Sequence, residues 1–166
     1  MSIILTILRW LEQSPLGVMA RDSIWLFPLG EILHFFGLCL LVGAMLVIDL
    51  RLLGFARRIP IAATLQLVPV AAIGFALNIL SGILFLSAYP QNYYPSTAFR
   101  IKMAVILLGG LNALFFSRVE YPRISQLPPD AVMDMRTKTI AALSLAVWFA
   151  AIVLGRLLPF VSKSSS

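Results

Sequence analysis

WLFPLGEILHFFGLCLLVGAMLVIDLRLLGFARR, residues 25–58, is the stretch that decides the fold. Its apolar run, residues 26–48, is broken only by Glu31 and His34. At a helical rise of about 1.5 Å per residue the run reaches across the roughly 30 Å hydrocarbon core of a bilayer. Glu31 and His34 are three apart and share a helix face. They follow Pro28 closely enough to lie about one turn inside the hydrocarbon. An ionisable pair at that depth must face protein or trapped water, which makes it a candidate functional site. Asp49, Arg51, Arg57 and Arg58 close the stretch with charge.

The whole chain is built in the same way. Of its 166 residues 60% are hydrophobic and 12% charged, against about 45–50% apolar content in a soluble domain. Thirteen Lys and Arg against seven Asp and Glu leave a formal charge of +6. These bases gather at the ends of apolar runs, where anionic lipid attracts them. The partner they indicate is the lipid bilayer, and no nucleic-acid role is expected. A single cysteine, Cys39, excludes an internal disulfide or a multi-cysteine metal site within one chain. Inside an apolar run, Cys39 reads as a small packing residue.

The expected fold class is all-α: a four-helix transmembrane bundle with an N-terminal amphipathic interfacial helix, forming one integral membrane domain over residues 1–166. The interfacial helix covers residues 2–13. Ser2, Thr6, Arg9 and Gln13 mark its polar face, and it is too short to span. No small-residue cleavage site follows it, so retention of this segment is expected. A Ser14-Pro15-Leu16-Gly17 turn ends it. The spans are expected at about residues 26–50, 68–88, 99–117 and 139–158. Arg51, Arg57 and Arg58 put the first loop in the cytoplasm, and both termini on the outer side. Tyr89, Tyr93 and Tyr94, interleaved with Pro90 and Pro95, suit the outer membrane boundary. This orientation leaves seven basic residues inside and six outside, so it rests mainly on the first loop.

RWLEQSPLG at residues 9–17, the stretch RDSIWLFPLGEILHFFGLCLLVGAMLVIDLRLLG at 21–54, AFRIKMAVILLGGLNALFF at 98–116 and SLAVWFAAIVLGR at 144–156 resemble a bacterial family of four-helix membrane proteins. That family is known only as a domain of unknown function. The pattern from Glu31 through His34 to Asp49 and Arg51 is the most specific part of the likeness. The resemblance implies a multi-pass protein of the bacterial inner membrane and no established activity. A more distant likeness, to copper-resistance D-type and cytochrome b-type membrane bundles, rests on the histidine-bearing helix and the general topology.

Glu31 and His34 form one Glu-x-x-His, whereas a di-iron bundle uses two copies and two further glutamates. His34 is the only histidine, so one chain cannot supply a bis-histidine haem. Metal routes that stay open are haem b held by His34 and Met103, haem shared across a dimer, or copper held by His34 with Cys39 or a methionine. Ahead of these routes, His34 reads as a histidine hydrogen-bonded to Glu31 or to a neighbouring helix, and such a pair can also relay a proton. Lys102 and Arg156, with Arg100, are bases at the same level, suited to an ion pair with Glu31 or to an anionic or quinone headgroup. Asn78 and Asn112 read as interhelical polar contacts. Asp49 and Arg51 read as anchors at the inner end, with Arg118 as a neighbour for pairing. Three functions fit. The leading one is a non-catalytic structural or accessory subunit of a larger membrane assembly, with protein partners or as a homo-oligomer. The others are a haem- or copper-binding electron-transfer or metal-handling protein, and a small proton-coupled transporter or channel.

Overall fold

The computed structural model describes residues 3–93 and 96–161; Met1, Ser2, Tyr94, Pro95 and residues 162–166 lie outside the described residues. Helix α1, Ile3–Gln13, leaves Ile3, Ile7 and Trp10 exposed on one side. The turn at Ser14 also starts a second helix, α2, Pro15–Asp22, where a turn alone was expected. Ser14 Oγ accepts the Gly17 N–H at 3.1 Å, and Pro15 has no N–H to leave unpaired in the first turn. Arg21 ties this N-terminal unit to the bundle, donating to Glu12 O at 2.9 Å and to Ala88 O at 3.2 Å.

Helix α3, Leu26–Leu53, follows and stops at Gly54. Gly54 has φ 98°, a left-handed conformation that favours glycine, and its N–H returns to Leu50 O and Arg51 O. The short α4, Ile61–Leu65, leads into α5, Val68–Ala88, with Pro69 in the first turn. The turn α6, Pro90–Tyr93, precedes α7, Thr97–Phe115, which Ser96 caps by accepting from Phe99 N–H. A π-helical turn, Phe116–Glu120, carries α7 on into α8, Tyr121–Ile124, so helix extends into what reads in sequence as a polar loop. The last helix is α9, Met135–Val161. Among the described residues four segments are long and apolar enough to cross a membrane: Leu26–Leu53, Ile61–Ala88, Thr97–Ile124 and Met135–Leu157.

The bundle is a row closed on itself imperfectly. α3 packs against both α5 and α9, α9 carries α7, and α5 and α7 barely meet. Its core holds Ile48, Leu52, Ile61, Ile124 and Ala141, while Phe36, Leu107, Leu143 and Phe149 point outward. In lipid, apolar side chains gain little by leaving the solvent, so helices associate through close backbone packing and polar contacts. The α3–α5 crossing shows this directly. A Cβ on Gly74 would lie 2.5 Å from Leu41 N and 2.6 Å from Gly37 O, and one on Gly37 would lie 2.9 Å from Gly74 O.

At the opposite end from α1, here the Arg51 end, charge is buried because the chain satisfies it. Arg51, 1% exposed, donates to Ile59 O at 2.6 Å and to Pro129 O at 2.9 Å, which fastens two connections to α3. Glu120, fully buried, faces Arg136 Nε at 3.0 Å and accepts from Arg123, with Thr137 Oγ1 3.0 Å away. That neutralisation lets the helix run on past its apolar section. Asp134 caps the start of α9 by accepting from Thr137 N–H at 3.1 Å, and also binds Arg123.

The Gly37–Gly74 contact predicts that Gly74→Val costs about 1–3 kcal/mol or more by forcing the helices apart. Thermal unfolding in mild detergent should fall by several degrees. Gly82→Ala, whose Cβ meets open space, should unfold near the parent; equal behaviour of Gly74→Val would refute the close crossing.

Hydrogen bonds from Thr137, and then from Arg123, hold the Asp134 carboxyl below the ordinary aspartate range. A carboxyl depressed on folding stabilises above its unfolded value, near about 3.9. That contribution is lost as pH falls through the lower folded value. Acid titration of unfolding should therefore be shallower in Asp134→Asn than in the parent.

Candidate functional site

His34 projects from α3 toward α5, with Nδ1 2.8 Å from Ser81 Oγ. Ser81 has one hydroxyl proton and places it on Leu77 O at 2.6 Å. Its oxygen therefore serves His34 as an acceptor, and Nδ1 is the donor. A neutral imidazole held in this way carries its lone pair on Nε2. The register that brings these residues together comes from the glycine crossing one turn further along α3. The His34 ring also lies 5.5 Å from the Phe85 ring.

Lys102 reaches from α7 across α9, where a Cβ on Gly155 would be 3.3 Å from its Nζ. It lies within electrostatic range of His34. Glu31 is exposed at the start of α3. It lies within electrostatic range of Tyr93, whose phenol is pushed up by burial and further by Glu31 and Tyr89. Thus His34 is bonded to Ser81 rather than to Glu31, and Lys102 lies within its electrostatic range. Arg156 is exposed on α9.

Cys39 sits on an exposed face of α3, five residues and about 140° around from His34. Met103 is exposed on α7, 40% accessible. Among the described residues no three of His, Cys, Asp and Glu gather as a metal site. Asn78 donates to Gly74 O of its own helix at 2.9 Å and abuts Gly37. Asn112 donates across to Ile140 O on α9 at 3.4 Å.

Asp49 and Arg51 part company. Arg51 turns to the connecting loops, while Asp49, 2% exposed, turns into the bundle beside Ser144. Asp49 and Ser144 line a cavity of about 240 Å³ between α3, α5, α7 and α9, together with Trp148, Phe75 and Asn112. Asp49 Oδ2, Ser144 Oγ and Trp148 Nε1 are buried there without a hydrogen bond. Sequence reasoning missed this second polar cluster. Its signal is Ser144 and Trp148 four residues apart in an apolar helix, hence on one face.

Fold and sites together define a four-helix membrane bundle with polar groups turned inward near both ends. The chain belongs to a family of unknown function, DUF6644, whose model matches residues 7–161. No curated protein and no solved structure matches it.

Proposed function

We propose that this chain is a non-catalytic integral protein of a bacterial inner membrane, working as a structural or accessory subunit of a larger assembly. The supporting observation is a line of small residues facing outward on α9. Ala142 and Ala146 are exposed and Ala150 partly so, at four-residue spacing among Leu143, Phe149 and Val153. On α3, Cys39 and Gly43 repeat that spacing, with open space where a Gly43 Cβ would stand. Small residues in register let another helix bring its backbone close, which lipid chains cannot imitate. A second copy of the chain and an unrelated membrane helix fit such a face equally.

The test is sizing of the protein from its native membrane in mild detergent, with cross-linking before extraction. The parent should appear in a species larger than one chain. Ala146→Leu should release a monomer of unchanged helix content. A lone parent monomer, or an assembly untouched by Ala146→Leu, would refute the subunit reading.

One observation favours a second reading, the haem- or copper-binding one: the Ser81 bond leaves His34 Nε2 as the nitrogen able to ligate. Met103, Cys39 or a partner's side chain would have to supply the second ligand. Under this reading, protein from its native membrane carries a Soret band or bound copper that His34→Ala loses. A colourless, metal-free preparation rejects it.

A further inference from the structure

We propose that the cavity at the Arg51 end is a binding site for a small phenol, its ring hydroxyl held by Asp49, Ser144 and Trp148. The three side chains are 2%, 1% and 6% exposed and line this cavity; Asp49 Oδ2 and Trp148 Nε1 have no hydrogen bond, and Ser144 has only the Asp49 carboxyl beside it. Among the described residues the other buried side-chain atom without a hydrogen bond, Glu120 Oε1, has Arg136 Nε 3.0 Å away. Glu120, Arg51 and Thr137 all find partners within the chain. Unpaired polar atoms in a membrane interior are expensive and point to something that pairs them.

The chemistry of the three atoms selects the group. Trp148 Nε1 can only donate, Ser144 Oγ donates or accepts, and an Asp49 carboxylate oxygen accepts. An ammonium has no lone pair for Trp148. A carboxylate has no proton for Asp49, the one carboxyl among the lining side chains. A hydroxyl meets all three: its proton goes to Asp49 Oδ2, and its lone pairs accept from Trp148 Nε1–H and Ser144 Oγ–H.

The walls select what carries the hydroxyl. Leu41, Met45 and Ile48 are hydrocarbon. Phe75 and Trp148 meet edge to face, centroids 5.8 Å apart at 73°, and present aromatic surface to the cavity. At about 30 Å³ per water the space holds several waters, but they would wet apolar walls that a ring covers. Entry is lateral: Ala72 on α5, Leu114 on α7 and Ser117 on the π-helical turn that follows it are exposed wall residues, where α5 and α7 barely meet. The ring hydroxyl could come from a free lipophilic phenol or from the headgroup of a membrane quinol.

The test is calorimetric titration of the full chain in phosphatidylethanolamine and phosphatidylglycerol nanodiscs, with empty nanodiscs as reference. The probes are 4-propylphenol, a decyl-substituted hydroquinone and propylbenzene. Saturable binding of either hydroxylated probe is expected, and the tighter of the two identifies the source. Propylbenzene should bind at least about tenfold more weakly, because it leaves the polar atoms unpaired. Asp49→Leu should abolish that preference. Trp148→Phe, which keeps the ring wall and loses the N–H, should weaken the phenol severalfold and leave propylbenzene unchanged; it carries the test if Asp49→Leu does not fold. Absence of saturable binding, equal binding of propylbenzene, or a preference undiminished in either variant overturns the proposal.

Discussion

Where Gly37 meets Gly74, two helix backbones touch with no side chain between them. The rest of the bundle depends on that contact. Hydrocarbon gives apolar helices little reason to prefer each other over lipid, so the association must come from close fit. The crossing sets the α3–α5 register, and the register puts His34 opposite Ser81 and Asn78 against Gly37. α3 then offers its other side to α9, and α9 in turn holds α7. The helix added last is thus fastened on one side, and the seam between α5 and α7 is left to open onto lipid.

Polar groups in this structure fall into two kinds. Some are fully engaged by the chain: Arg51 with the carbonyls of two connections, Glu120 with two arginines and Thr137, Arg21 with α1 and α5. These hold the two ends of the bundle and explain why helix can continue where charge begins. Others keep an open valence. The imidazole of His34 is oriented through Nδ1 and free to act through Nε2, and Asp49, Ser144 and Trp148 converge on a cavity. The two open sites lie toward opposite ends of α3, separated by the apolar stretch around Leu41. They are therefore two separate sites.

Much of the fold was legible because long apolar runs bounded by charge admit few alternatives in a bilayer. Residues 26–48 announced a spanning helix, and Ser96, Gly54 and Pro69 fall where helix boundaries need them. α2 was signalled by Ser14-Pro15, a cap followed by a residue suited to a first turn, but the pair also reads as a simple break. The continuation of α7 through Ser117, Arg118 and Glu120 was hidden. It depends on Arg136 and Thr137 of α9 reaching Glu120, a contact that no local pattern encodes. The partners of His34 and Asp49 were hidden for the same reason. Their identity follows from helix register and rotation, which the glycine crossing fixes in space and the chain order does not express.

The account rests on polarity being turned inward and hydrocarbon outward. Single spin labels in reconstituted bilayers test this directly through oxygen and aqueous nickel accessibility, in a Cys39→Ser background. Labels at Phe36 and Leu143 should be reached readily by oxygen and poorly by nickel, while labels at Ser81 and Ser144 should be shielded from oxygen. Oxygen reaching Ser81 and Ser144 as freely as Phe36, or nickel reaching Phe36 and Leu143, would contradict it.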